Sequence, residues 1–117
     1  MDYQSHWLYK EICSMSKEFR ASIRHMPIEH RADIGKEIRS TLRKAKYQTY
    51  KAIKTNELLN PDDREGLIDT LNIVKIQIDE CLEDNILSIK GDFNVVLPRK
   101  RLKEILEQLG TTENVQQ

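Results

Sequence analysis

Basic side chains are concentrated in one segment, from Arg31 to Lys54, of a chain whose formal net charge is zero. This segment has 8 basic and 2 acidic side chains, a net charge of +6. On an α-helix that turns by about 100° per residue, one face of the segment contains no acid. We call this face the basic stripe: Lys36, Arg39, Arg43, Lys46, Tyr50 and Lys54. Such a face predicts anion binding, and a polyanion such as nucleic acid is the first ligand to consider.

Arginines and tyrosines are interleaved along the same segment, at Arg39, Arg43, Tyr47 and Tyr50. Both residue types can contact phosphates and stack on bases. The stripe contains no acidic residue at the i+4 spacing that would neutralise it, so a helix face without an anionic partner would repel itself. The alternative is a solvated face that binds nothing specific.

A second basic cluster lies near the start of the last predicted helix, at Arg99, Lys100, Arg101 and Lys103. The helix dipole disfavours cations at this end, and the small cost favours a compensating anionic partner. We therefore add Arg99 and Arg101 to the predicted nucleic-acid-binding residues. A solvated surface patch is the alternative.

Residues for catalysis or metal binding do not occur in a recognised pattern. The histidines have no carboxylate or cysteine at metal-ligand spacing; they are His6, His25 and His30. An acidic cluster is typical of a solvated or partner-facing helix face; it contains Asp79, Glu80, Glu83 and Asp84. The chain has no nucleophile elbow, phosphate-binding glycine loop or catalytic triad. We expect a protein that is not an enzyme and has no metal or other cofactor.

Length and composition indicate one helical domain. The chain has 117 residues, of which 32% are charged and 38% hydrophobic, with 4 Gly and 3 Pro. No apolar run approaches the ~20 residues of a membrane span, and residues 1–7 do not resemble a secretory signal. We therefore expect a cytoplasmic protein without a membrane segment, in which Cys13 and Cys81 are reduced thiols.

Apolar residues at helical spacing predict the first two helices, at roughly 5–25 and 31–57. Ser5 is the candidate N-cap of the first helix, and Pro27 ends it. Its apolar face is Leu8, Ile12, Met15, Phe19, Ile23 and Met26. The apolar face of the second helix lies about 130° around the helix from the basic stripe; it consists of Ile34, Ile38, Leu42, Ala45, Thr49 and Ala52.

The third predicted helix spans roughly 61–88 and starts at an Asn60 cap followed by Pro61. Its apolar face is wide, which indicates contact with more than one neighbour inside the bundle or across subunits. The face contains Leu67, Leu71, Val74, Ile78 and Leu82, and it is widened by Ile68, Ile73 and Ile76.

The fourth predicted helix starts at residue 93 or 98 and ends at 109, because Gly110 is a typical C-terminal stop. Residues 92–98 are either extended or the first turns of this helix. Its apolar residues are Leu102, Ile105, Leu106 and Leu109. We expect residues 111–117 to be a frayed polar tail.

Together these segments predict an all-α, up-down-up-down antiparallel four-helix bundle over residues 1–110. A three-helix bundle with an irregular C-terminal arm is the alternative. Residues 1–60 have 12 basic and 7 acidic side chains, whereas residues 61–117 have 7 and 12. A subunit with this charge asymmetry suits head-to-tail contacts between identical copies.

The junction of the first two helices contains Met26-Pro27, Arg31, Ile34-Gly35 and Ile38. This pattern resembles the bacterial four-helix-bundle family that includes the accessory variability determinant of diversity-generating retroelements. The family also includes proteins encoded in 23S ribosomal RNA intervening sequences. Two further segments are similar to the family's pattern, Lys54-Thr55-Asn56 and Gln108-Leu109-Gly110. The retroelement branch fits better, because the Asn-Ile-Ala-Glu-Gly-like stretch of the other branch is absent.

The resemblance implies a non-catalytic homo-oligomer, a pentamer in that family, that binds a reverse transcriptase and its template RNA through basic surfaces. The basic stripe would then supply phosphate contacts. The alternative function is that of a helical protein-interaction or structural oligomer that does not bind nucleic acid.

Overall fold

The computed structural model describes residues 3–55 and 60–115, without the side chains of residues 54, 55 and 111–115. Within these ranges the fold is all-α with four long helices, as the sequence predicts. The helices are α1 (Trp7–Ile23), the single turn α2 (Ile28–His30), α3 (Lys36–Thr55), α4 (Pro61–Glu83) and α5 (Val96–Val115). A 3-10 turn, Tyr3–Ser5, precedes α1, and a π-helical turn, Arg31–Gly35, joins α2 to α3.

The four long helices form an antiparallel up-down-up-down bundle. Helix α1 packs against α3 and α5, and α4 packs against the same two helices. The predicted apolar faces form the core, except that Ile73 and Ile76 of the third predicted helix are exposed. Its largest fully buried side chains are Leu8, Ile12, Met15, Phe19, Ile23, Ile38, Leu42, Leu67, Leu71, Ile78, Leu102 and Ile105. No helix in the described ranges is long and apolar enough to cross a membrane.

The predicted start of α4 is confirmed, but the predicted end at residue 88 is wrong. Asn60 Oδ1 accepts a hydrogen bond from the Asp63 backbone N–H at 2.8 Å, as an N-cap does. The helix ends at Glu83 because Asn85 adopts a left-handed conformation, with φ of +59°. The Ile86 N–H then reaches back to the Cys81 carbonyl at 2.8 Å, which closes the helix end.

Several other helix ends also differ from the prediction, whereas the predicted end of the second helix at residue 57 lies outside the described residues. The N-cap of α1 is His6 rather than Ser5, since His6 Nδ1 accepts from the Leu8 N–H at 3.1 Å. Helix α5 starts at Val96, whose N–H donates to Asn94 Oδ1 at 3.0 Å, so the start lies between the two predicted positions. It continues past Gly110 to Val115, because Gly110 does not adopt the left-handed conformation that a helix stop requires.

Gly35 permits a close approach between the end of α1 and the π-helical turn before α3. A Cβ atom at Gly35 would lie 2.9 Å from Ile23 Cγ2 and 3.5 Å from Met26 Sδ. Ile23 and Met26 are both buried, so neither side chain can move away freely. Any larger residue here would therefore push α1 and α3 apart.

We predict that Gly35→Ala lowers the free energy of unfolding by about 1–3 kcal/mol, because a methyl group is forced into a packed contact. Thermal or urea unfolding followed by circular dichroism measures the change. The matched control is Gly66→Ala in α4, where a Cβ would meet only Gln48 Nε2 at 3.7 Å. That variant is expected to gain about 0.5–1 kcal/mol from helix propensity. A Gly35→Ala protein as stable as the Gly66→Ala protein would contradict the close approach.

Candidate nucleic-acid interface

The central residues of the basic stripe line a groove between α1 and α3, which we call the basic groove. Arg39, Arg43 and Lys46 of the stripe lie on the α3 side. Arg20 and the buried Ser16 lie on the α1 side, and Tyr47 completes the lining. Arg20 is not among the residues predicted from the sequence, because the periodicity of the first helix indicates only which of its residues face the core. The groove therefore brings four cations together from two helices.

The cations of the groove keep their charge available to a ligand. Arg20 and Arg43 are exposed, and Arg39 and Lys46 are half-buried. Within the described residues, none of these four side chains takes part in an ion pair. Four uncompensated cations in one groove create a local positive potential that an anion would relieve.

An aromatic cluster lies next to Lys46 of the groove, at the start of α1. The ring of Tyr3 packs edge-on against Tyr9 at 5.0 Å and against Tyr50 at 4.7 Å between centroids. Lys46 Nζ lies 6.0 Å from the centre of the Tyr9 ring, within reach of a cation–π contact. Burial, helped by the neighbouring Cys13 thiol, raises the pKa of Tyr9 to about 12. Tyr50 therefore packs inside this aromatic cluster.

The remaining stripe residues lie toward the two ends of α3. Lys36 is exposed at the first turn of the helix. The side chain of Lys54 lies outside the described part of the structure. Lys44 and Lys51 carry the basic surface onto the outer side of α3, next to Arg43 and Tyr47.

The two predicted residues on α5 lie in ion pairs away from the basic groove. Arg99 Nη2 donates to Asp79 Oδ1 at 3.1 Å. Arg101 Nε and Nη2 donate to the two carboxylate oxygens of Glu18 at 2.7 and 3.2 Å, and Nη1 donates to Glu11 Oε2 at 2.9 Å. These bonds to Glu18 and then Glu11 hold the pKa of Arg101 above its ordinary value. Contact of Arg99 and Arg101 with nucleic acid stays a prediction.

The cysteines and acids form no metal centre within the described residues, where no group of three or more His, Cys, Asp or Glu could hold a metal ion. Cys13 and Cys81 are both free thiols. Cys13 is half-buried beside the aromatic cluster. Cys81 is buried in the core, and burial together with the nearby Asp84 and Glu80 raises its pKa to about 11.

Comparisons with protein-family models, curated proteins and solved structures found no match to this chain. The function of the basic groove is therefore inferred from the residues that line it. The family resemblance at the junction of the first two helices stays an expectation.

We predict that Arg101→Ala lowers the free energy of unfolding by about 1–2 kcal/mol, because it removes charge-assisted hydrogen bonds between α5 and α1. The matched control is Arg99→Ala. Its pair with Asp79 is 42% and 40% exposed, so its loss is expected to cost at most about 0.5 kcal/mol. Urea unfolding measures both. Equal costs for the two variants would contradict a special role of the Arg101 contacts.

We also predict that the two thiols differ strongly in reactivity. At pH 8, a thiol with the pKa of Cys81 is ionised to about one part in a thousand, and only the thiolate reacts quickly. Iodoacetamide should therefore modify Cys13 first in the folded protein, as mass spectrometry of peptides would show. The rate at Cys81 should rise about tenfold per pH unit until its pKa is reached. Equal rates at both thiols at pH 8 would contradict the burial of Cys81.

Proposed function

We propose that this protein is a non-catalytic nucleic-acid-binding accessory protein whose contact surface is the basic groove. The observation that carries the proposal is the convergence of Arg20 with Arg39, Arg43 and Lys46 from a second helix. A lysine-rich face on one helix has a simple explanation as solvated surface. Convergence of unpaired arginines from two helices favours a polyanionic ligand, since arginine binds phosphate with two parallel hydrogen bonds.

The distribution of charge on α1 supports the same proposal. Helix α1 has two acidic residues, Glu11 and Glu18, and both carboxylates bind Arg101 of α5. Arg20 lies instead on the side that lines the groove with α3. The acids of α1 are therefore held away from the groove. A neutral chain can present a strongly positive groove because its charges are segregated in this way.

The partner protein and the assembly are proposed on the family resemblance alone. By that resemblance the nucleic acid is RNA, or an RNA–DNA hybrid, bound in the cytoplasm together with a reverse transcriptase. The chain would act as a homo-oligomer, a pentamer in the resembled family. The excess of acid in residues 61–117 then provides charge for docking of subunits or partner.

The test is the triple variant Arg39→Glu, Arg43→Glu, Lys46→Glu, with RNA binding measured by fluorescence anisotropy against salt concentration. Each lost phosphate contact on a single strand reduces the slope of log affinity against log salt by about 0.7. We therefore expect weaker binding and a slope smaller by about 2. Circular dichroism confirms that the variant is folded.

The matched control reverses three exposed lysines that belong neither to the groove nor to the second basic cluster, as Lys10→Glu, Lys75→Glu and Lys90→Glu. It changes the net charge by the same amount but leaves the groove intact. We expect its RNA affinity to fall much less than that of the groove variant. An equal loss of RNA affinity in both variants would contradict the groove as the contact surface. Unchanged affinity and salt slope in the groove variant would contradict it as well.

The second candidate function is that of a protein-interaction or structural oligomer without nucleic acid. It is favoured by the outer face of α4, where Ile73 and Ile76 are 44% and 55% exposed. The wide apolar face predicted for this helix is therefore not fully used inside the bundle, and its outer part could contact another protein. Sedimentation at several concentrations and an RNA-binding assay at low salt separate the two candidates. A stable oligomer without RNA binding would favour this second one.

A further inference from the structure

Tyr47 is an exposed aromatic residue surrounded by cations. Its side chain is 57% exposed, and within the described residues its ring packs on no other ring. It borders the basic groove on one side. On the other side it borders a shallow depression along the outer surface of α3, lined by Ser40, Arg43, Lys44, Gln48 and Lys51. Tyr50, which the sequence placed in the basic stripe, packs instead against Tyr3.

An open ring between cations matches the surface that binds single-stranded nucleic acid. Such surfaces combine a positively charged groove for the backbone with aromatic rings on which bases stack. In a duplex the base faces are covered by neighbouring bases, so a side chain on the outside cannot reach them. A ring that serves as a base platform is therefore useful only with an unpaired strand.

The size of the groove also fits one strand. Arg39 and Lys46 are seven residues apart on α3, which corresponds to a rise of roughly 10 Å. A stacked strand advances about 3.4 Å per nucleotide, so these residues span about three phosphates. The groove encloses only about 120 Å³ between two packed helices. Phosphate groups can enter this space, whereas the sugars and bases of the strand would lie outside it.

We infer that the basic groove binds single-stranded rather than duplex nucleic acid, with phosphates against Arg20, Arg39, Arg43 and Lys46 and one base stacked on Tyr47. The inference rests on the proposed function, because it specifies the ligand of the same groove. Tyrosine is also enriched at protein–protein interfaces. The cations on both sides of Tyr47 favour a polyanion, and a protein partner becomes an outcome of the test.

The test measures the affinity of three 12-nucleotide ligands by fluorescence anisotropy at one low salt concentration. They are single-stranded oligouridylate, its duplex with oligoadenylate, and a ribose–phosphate oligomer of equal length without bases. Oligouridylate offers unpaired bases as well as phosphates, whereas the abasic oligomer offers phosphates without bases. The wild-type protein is expected to bind oligouridylate more tightly than either of the other ligands.

The matched variants are Tyr47→Ala and Tyr47→Phe. Loss of one stacked base corresponds to a fall of about five- to 150-fold in affinity for oligouridylate. Tyr47→Ala should show this fall, bind the abasic oligomer as the wild type does, and keep the same salt slope, because no cation is removed. Tyr47→Phe should retain the affinity, since phenylalanine keeps the ring. Tyr47 is exposed, so both variants are expected to fold.

The outcomes separate the inference from the proposed function. If Tyr47→Ala binds oligouridylate like the wild type while the triple glutamate variant loses binding, base stacking on Tyr47 is contradicted. The basic groove then remains the proposed contact surface for nucleic acid. If the wild type binds the duplex or the abasic oligomer as tightly as oligouridylate, the preference for a single strand is overturned. If the wild type binds none of the three ligands, the proposed function fails as well, and Tyr47 is left as a contact for a protein partner.

Discussion

The contact of Arg101 with Glu18 and Glu11 is the interaction on which the arrangement of charge depends. It joins two helices that are far apart in the sequence, and it uses both carboxylates of α1. Without it, these acids would be free to lower the positive potential around Arg20. The contact is half-buried, so it is less screened by salt than an exposed pair. Packing of α5 and the positive groove on the opposite side of α1 are therefore linked.

Most of the fold can be predicted from the sequence, because burial repeats with the period of the helix. The six residues of the apolar face predicted for the first helix are all in the core, and the start of α4 is encoded in Asn60 and Pro61. The helix ends are less predictable, since they depend on single backbone conformations. Asn85 ends α4 by a left-handed turn, whereas Gly110, a better residue for that turn, stays inside α5. The residue type alone therefore does not predict whether a helix ends at that residue.

The candidate site can be predicted only in part, because periodicity gives the faces of one helix and not its neighbours. The stripe on α3 was found, but the Arg20 side of the groove requires knowing which face of α1 meets α3. The pairing of Arg101 with α1 could not be predicted either, because it joins segments that are distant in the sequence. The sequence shows only that Glu11 and Glu18 lie two turns apart on the same face of α1. The difference between a packed Tyr50 and an open Tyr47 also depends on a neighbour, since Tyr3 comes from outside the helix.

The two ends of the basic groove are fixed by opposite means. At one end, the missing side chain of Gly35 lets α1 and the start of α3 touch. Toward the other end, beyond Lys46, the ring of Tyr3 packs between Tyr9 of α1 and Tyr50 of α3. The width of the groove is thus set by the fold and not by a ligand. The helix backbones that carry its arginines are positioned before binding, so binding has to order the side chains but not to rearrange the helices.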